Sequence, residues 1–224
     1  MKHLTQAFRE WLSRNPHAWY ALLFPVYMAS YFATEAVVGE NTDYWVSYLP
    51  LDDKIPFLEW FAPIYYIWAF CLLFVGLYLL FKDGAGFKKF MTFLFGGMFA
   101  SLLICLLFPN GQNLRPEVFP RENLFTEMVR MIYSVDTCTN VFPSMHVVGA
   151  IAATGAVFHN RVLKRYWLPA VVLCILICAS TVFLKQHSIL DVYGGIALAL
   201  PLWLIVYRKK KTVSQKAKSP EQRL

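Results

Sequence analysis

Six long apolar runs constrain this 224-residue chain more than any other feature. A run of about 18 or more apolar residues, nearly free of charge, is long enough to cross a bilayer as a helix. Trp60 to Phe81, Phe90 to Phe108 and Trp167 to Leu184 contain no charged residue. Trp19 to Val38 is interrupted only by Glu35, and Ser188 to Tyr207 only by Asp191. Val141 to His159 carries no formal charge but is less uniformly apolar. The expectation is an all-α integral membrane bundle of six transmembrane helices. Composition agrees: 58% of residues are hydrophobic and only 16% are charged, against about 25% charged in an ordinary soluble domain. Such a chain is too apolar to be disordered. Its size and five cysteines exclude a small disulfide scaffold.

The formal charge of +7 would suggest nucleic acid as a partner if the protein were soluble. The placement of the charges removes that reading. Basic residues collect before the first run (Lys2, Arg9, Arg14), after the second (Lys82, Lys88, Lys89) and after the fourth (Arg161, Lys164, Arg165). A further group fills the tail, from Arg208 through Lys209, Lys210, Lys211, Lys216 and Lys218 to Arg223. By the positive-inside rule both termini lie in the cytoplasm, and the loops Gly39 to Glu59, Pro109 to Asn140 and Lys185 to His187 face outward. The chain divides into a basic amphipathic segment (1–18), a six-helix domain (19–207) and a basic tail (208–224) expected to be disordered. In the first segment Leu4, Ala7, Phe8, Trp11 and Leu12 recur at helical spacing, as in a helix lying on a membrane surface. No cleavable signal peptide is expected, because the first apolar run is a full span. In the second outer loop, Glu122 to Val135 reads as an interfacial helix with Leu124, Phe125, Met128, Ile132 and Val135 on one face.

Ionisable groups at membrane depth need a reason to be there. His187 and Asp191 are four residues apart, which on a helix puts them on one face within hydrogen-bonding reach. A carboxylate bonded to one imidazole nitrogen leaves the other as a nucleophile or base; a structural His–Asp pair is the plain alternative. His146 follows Pro143 at the expected start of the fourth helix, where free backbone N–H groups suit an anion. Arg115 adds a cation at the same level, although alone it is a headgroup anchor.

These residues resemble the type 2 phosphatidic acid phosphatase superfamily of lipid phosphatases and membrane phosphotransferases. That family carries a Lys and an Arg-Pro six residues apart, then Pro-Ser-Gly-His, then Ser-Arg, five residues, His, three residues, Asp. The chain has Arg115-Pro116, then Pro143-Ser144-Met145-His146, then Ser180-Thr181, five residues, His187, three residues and Asp191. Three positions depart from the pattern: Phe108 stands where the first motif has Lys, Met145 where the second has Gly, and Thr181 where the third has Arg. Lys185 is a replacement cation, with Arg121 a weaker one. The stretch Phe142 to His146, with Lys185-Gln186-His187 through Asp191, more closely resembles the inositol phosphorylceramide synthase-like branch.

The resemblance implies double displacement at phosphorus in a six-helix layout whose site faces outward. His187 would be the nucleophile, Asp191 its orienting partner, and His146 the acid and base. Arg115, Lys185 and the backbone N–H groups near Ser144 and Met145 would hold the phosphoryl oxygens. The family needs no metal and no cofactor, and no metal-ligand spacing appears here. The implied partners are the bilayer and a phospholipid or isoprenyl phosphate; oligomeric state is not readable. A non-catalytic lipid-phosphate-binding or transport protein is the competing reading, supported by the missing cations. Cys71, Cys105, Cys174 and Cys178 read as thiols within spans, Cys138 as a lone outer thiol, Glu35 as a residue reaching the interface, and Gly194-Gly195 as a close helix contact.

Overall fold

Prolines and caps decide where the helices begin. The computed structural model describes residues 2–39 and 42–208. Glu40, the tail 209–224 and the side chains of Lys2, Leu4 and Phe8 lie outside the described residues. The described chain is helical, with eight α-helices: α1 (Lys2–Arg14), α2 (Leu23–Val37), α3 (Ala62–Lys82), α4 (Gly84–Leu107), α5 (Leu124–Val135), α6 (Met145–His159), α7 (Trp167–Phe183) and α8 (Ile189–Tyr207).

Four helices are long and apolar enough to cross a membrane: α4, α8, and α3 and α7 each extended by a leading 3-10 turn. The other two expected spans are shorter α-helices, 15 residues each. The first apolar run starts as a 3-10 turn, Pro16–Leu22, and becomes α2 only at Leu23. Pro25 has no N–H to give an i−4 carbonyl, which suits its place in the first turn of α2, where that donor has no intrahelical partner in any case. In the fourth run the helix starts at Met145, after Pro143, with Ser144 extended as its N-cap.

α6 is the central rod. Val147 to Ala150 and Ala152 to Val157 are buried, on every side of the helix, and α3, α4, α7 and α8 pack around it. Its small residues permit close approach, which is how helices gain packing energy where lipid supplies no hydrophobic drive. A Cβ on Gly149 would lie 2.7 Å from Nε1 of Trp68, and one on Gly195 of α8 would lie 2.8 Å from both the Ser144 carbonyl oxygen and Val147 Cβ. α4 supplies the aromatic core, with Phe87, Phe90, Phe93 and Phe95 buried against α2, α6 and α8.

The loops expected to face outward are tied to one another at one end of the bundle. Two residues, Trp45–Val46 (β1), pair in parallel with Asn110–Gly111 (β2), and Gly111 bridges to Thr139. Asn110 Oδ1 accepts from the Phe142 N–H at 2.7 Å, while its Nδ2 donates to the Phe142 carbonyl at 3.1 Å. The segment leading into α6 is thus held from its backbone.

α5 begins two residues later than expected, because Asn123 caps it by accepting from the N–H groups of Phe125 and Thr126. It also turns a different face inward. Thr126, Val129 and Ile132 are buried, whereas Leu124 and Val135 are 74% and 79% exposed. Val129 and Ile132 pack with Ala62, Tyr65 and Leu184, at the start of α3 and just past the end of α7.

Candidate active site

α6 and α8 both start at the same end of the bundle, and their first turns meet. The Ser144 N–H donates to the Asp191 carbonyl at 3.1 Å. Ser188 and Asp191 form a capping box on α8: the Leu190 N–H donates to Ser188 Oγ at 3.1 Å, and the Ser188 N–H to Asp191 Oδ2 at 2.9 Å. The same Oδ2 lies 3.3 Å from His187 Nδ1. His187 therefore sits just outside the helix, and the cap carries the contact that a helical i, i+4 face was expected to make. Asp191 is fully buried, and its other oxygen accepts from the Ser47 hydroxyl.

With Nδ1 donating to the carboxylate, His187 Nε2 keeps its lone pair. That nitrogen faces His146 Nδ1 at 3.4 Å. His146, in the first turn of α6, is flanked by the rings of Tyr65 and Trp68 at centroid distances of 4.5 and 4.4 Å. The two imidazoles, with Met145, line a narrow cavity of about 20 Å³ together with Tyr31, Asp136, Asn140 and Gln186. A carboxylate-paired imidazole facing a second imidazole can attack an electrophile and exchange a proton with its leaving group.

The expected phosphate ligands are arranged less directly. Arg115 donates to the carbonyls of Tyr133 and Asp136 and stacks on the Tyr133 ring at 4.3 Å; its Nε is buried without an acceptor among the described residues. Lys185 has a left-handed φ of 54° in the sharp turn after α7, and its ammonium donates to the carbonyls of Asp52 at 2.8 Å and Ile55 at 2.6 Å. Burial pushes its pKa below the ordinary lysine value, opposed by Asp52 and Asp53. Neither cation lines the cavity. Ser144 is buried with its hydroxyl unpartnered among the described residues. Met145 Sδ accepts from the Tyr27 hydroxyl at 2.9 Å, and the first N–H groups of α6 have no intrahelical acceptor. Arg121 is held by Glu59 at 2.6 Å, away from this cluster.

At the two positions where the family motif places cations and this chain does not, the structure differs. Phe108 is 70% exposed at the end of α4. Thr181 is buried, its hydroxyl donates to the Cys178 carbonyl, and its backbone carbonyl accepts from the N–H groups of Gln186 and His187. It shapes the turn that presents His187.

Two residues at the site, Asp52 and Asp136, gave no signal in the sequence, whereas Glu35 stood out as the one charge in the first apolar run. Asp52 is buried and accepts from Ser188 Oγ at 2.6 Å and the Ile189 N–H at 2.9 Å, so it anchors the His187–Asp191 segment. Asp136, just past α5, accepts from the Tyr65 hydroxyl and from Gln186 Nε2. Glu35 accepts from Asn140 Nδ2 at 2.6 Å and Thr137 Oγ1 at 3.0 Å, which ties α2 to the segment before α6. Among the described residues no group of three or more His, Cys, Asp or Glu side chains has metal-site geometry. The family model described as the PAP2 superfamily matches residues 17–214. No curated protein and no solved structure matches the chain.

Proposed function

This chain belongs to the PAP2 superfamily, and on that premise we propose that it is a multi-pass membrane enzyme that cleaves or transfers a lipid phosphate through a phosphohistidine on His187. The observation that carries the proposal is the pairing of His187 Nδ1 with Asp191 and the approach of His187 Nε2 to His146 Nδ1 at 3.4 Å.

In the first step the Nε2 lone pair attacks phosphorus, and the bond from phosphorus to the leaving oxygen breaks. His146 donates its proton to that oxygen. Asp191 stabilises the positive charge that develops on His187. In the second step His146 takes a proton from water or a lipid alcohol, that oxygen attacks phosphorus, and the P–N bond breaks to restore His187. Water as acceptor makes the enzyme a phosphatase; a lipid alcohol makes it a phosphotransferase of the sphingolipid synthase type. The phosphoryl oxygens are held by the first N–H groups of α6 near Ser144 and Met145, while Arg115, with its unpartnered Nε–H, and Lys185, with one ammonium proton not taken by a carbonyl, supply positive charge from outside the cavity lining.

In this reading the bundle crosses the cell membrane six times, with both termini cytoplasmic and the histidines at the outer face. The leading 3-10 turn and α2 together reach about 36 Å, enough for a hydrocarbon core of about 30 Å. Substrates of the right chemistry are phosphatidate, phosphatidylglycerol phosphate and isoprenyl diphosphates. The absence of cations at Phe108 and Thr181 favours a second reading, a non-catalytic lipid-phosphate binder. A screen of phosphate release and headgroup transfer over that lipid panel, in detergent without added metal, separates them. Turnover of at least one lipid, lost in His187→Ala, is expected. Binding across the panel with no turnover of any lipid would support the second reading instead.

A further inference from the structure

The end of the bundle opposite the histidines holds a second polar site. His146 and His159 sit at the two ends of α6, about 20 Å apart by helical rise. Beside His159 an open groove of about 650 Å³ lies between the α3–α4 turn, the end of α6 and the end of α8. Lys82, Lys89 and Arg161 line it. Among the described residues none of these three cations forms an ion pair.

Asp83 is the one acidic residue in the lining, and its carboxylate is already engaged. One oxygen accepts from the Gly86 N–H, capping α4, and the other accepts from Asn160 Nδ2, both at 2.9 Å. The groove is therefore cationic, and its acid cannot turn to neutralise it without uncapping α4.

Tyr207 supplies a second, independent observation. It lines the groove, is only 8% exposed, and its hydroxyl is buried with no partner among the described residues. A buried hydroxyl without a partner is costly. The ring is held in place by stacking on His159 at 3.9 Å, with Lys89 Nζ 5.9 Å from its centroid. A donor that shares its groove with three cations outside any ion pair calls for an acceptor that is negatively charged and oxygen-rich.

We propose that this groove binds a phosphate-bearing anion, held by Lys82, Lys89 and Arg161 with the Tyr207 hydroxyl as a further donor. Phosphate oxygens accept several charge-assisted hydrogen bonds at once. The anion is either the headgroup of an anionic phospholipid or free phosphate. Binding here needs no turnover at His187.

The full-length protein in phosphatidylcholine nanodiscs containing phosphatidylglycerol is assayed for retained lipid by native mass spectrometry. In parallel, inorganic phosphate is titrated against the protein in detergent and followed by thermal shift. The triple variant Lys82→Gln, Lys89→Gln, Arg161→Gln should bind at least about tenfold more weakly than wild type. Tyr207→Phe should weaken binding by about threefold. Lys88→Gln removes an exposed charge on α4 outside the groove and should leave binding unchanged. Loss confined to phosphatidylglycerol identifies a lipid headgroup site, and loss of inorganic phosphate as well identifies a site for the anion itself. If the triple variant does not fold, Arg161→Gln alone, at an exposed position, should still weaken binding severalfold. Unchanged binding in the folded variants, or an equal loss in Lys88→Gln, would overturn the proposal.

Discussion

At the scale of single residues, the site depends on one carboxylate with several tasks. Asp191 accepts from Ser47, from the Ser188 backbone and from His187. Asp191→Asn keeps the shape but places an NH₂ group among these donors, so His187 loses its orientation and its charge partner. The expected result is a fall in kcat of about 10²-fold or more, with a thermal stability loss of about 1 kcal/mol from the weakened cap. Parallel measurement of kcat and Tm checks both parts. Only some of this cluster was legible in the sequence. The spacing of His187 and Asp191 is local and can be read directly. Ser47 lies 144 residues from Asp191, and Asp52 lies 137 residues from Ile189. No period or motif links them, so the acidic outer loop reads as a charged surface until the chain is folded. Lys185 and Arg115 were visible as outward cations, but not that backbone carbonyls already hold both.

At the scale of elements, the approach of α8 to α6 brings the two histidines together. That approach needs Gly195, because any Cβ there meets Ser144 and Val147 at 2.8 Å. Gly195→Leu should separate the two first turns, lowering stability by about 1–3 kcal/mol through overpacking and reducing turnover by more than the stability loss explains. Gly96→Ala is the control: a Cβ there meets nothing nearer than Leu202 at 3.8 Å, and activity should be kept. Thermal denaturation and turnover of the two variants decide the matter. The Gly194-Gly195 pair already indicated close packing in the sequence. The inward face of α5 was not legible, because that helix has apolar residues on more than one face. Tyr65, Ala62 and Leu184, all distant in sequence, select Val129 and Ile132 over Leu124 and Val135.

At the scale of the whole molecule, the apolar runs foretold a helical bundle, and four helices have the length and composition to cross a membrane. Runs of hydrophobicity locate such helices well, but they do not show where α-helical geometry begins, as at Leu23 and Met145. With six spans and both termini inside, a cysteine introduced at Glu117 into a cysteine-free background should react with a membrane-impermeant thiol reagent from outside intact cells. One introduced at Lys164 should react only after permeabilisation. The reverse pattern would invert the topology. The central claim is the covalent intermediate, and because a phosphohistidine is labile to acid but stable to base, an alkaline quench offers a direct test of it. The wild-type protein is mixed with a turned-over lipid labelled at the phosphate, quenched under conditions that preserve phosphohistidine, digested and mapped by mass spectrometry. The prediction is label on His187, absent in His187→Ala. Turnover of the same lipid with no label on His187, or undiminished turnover in His187→Ala, would contradict it.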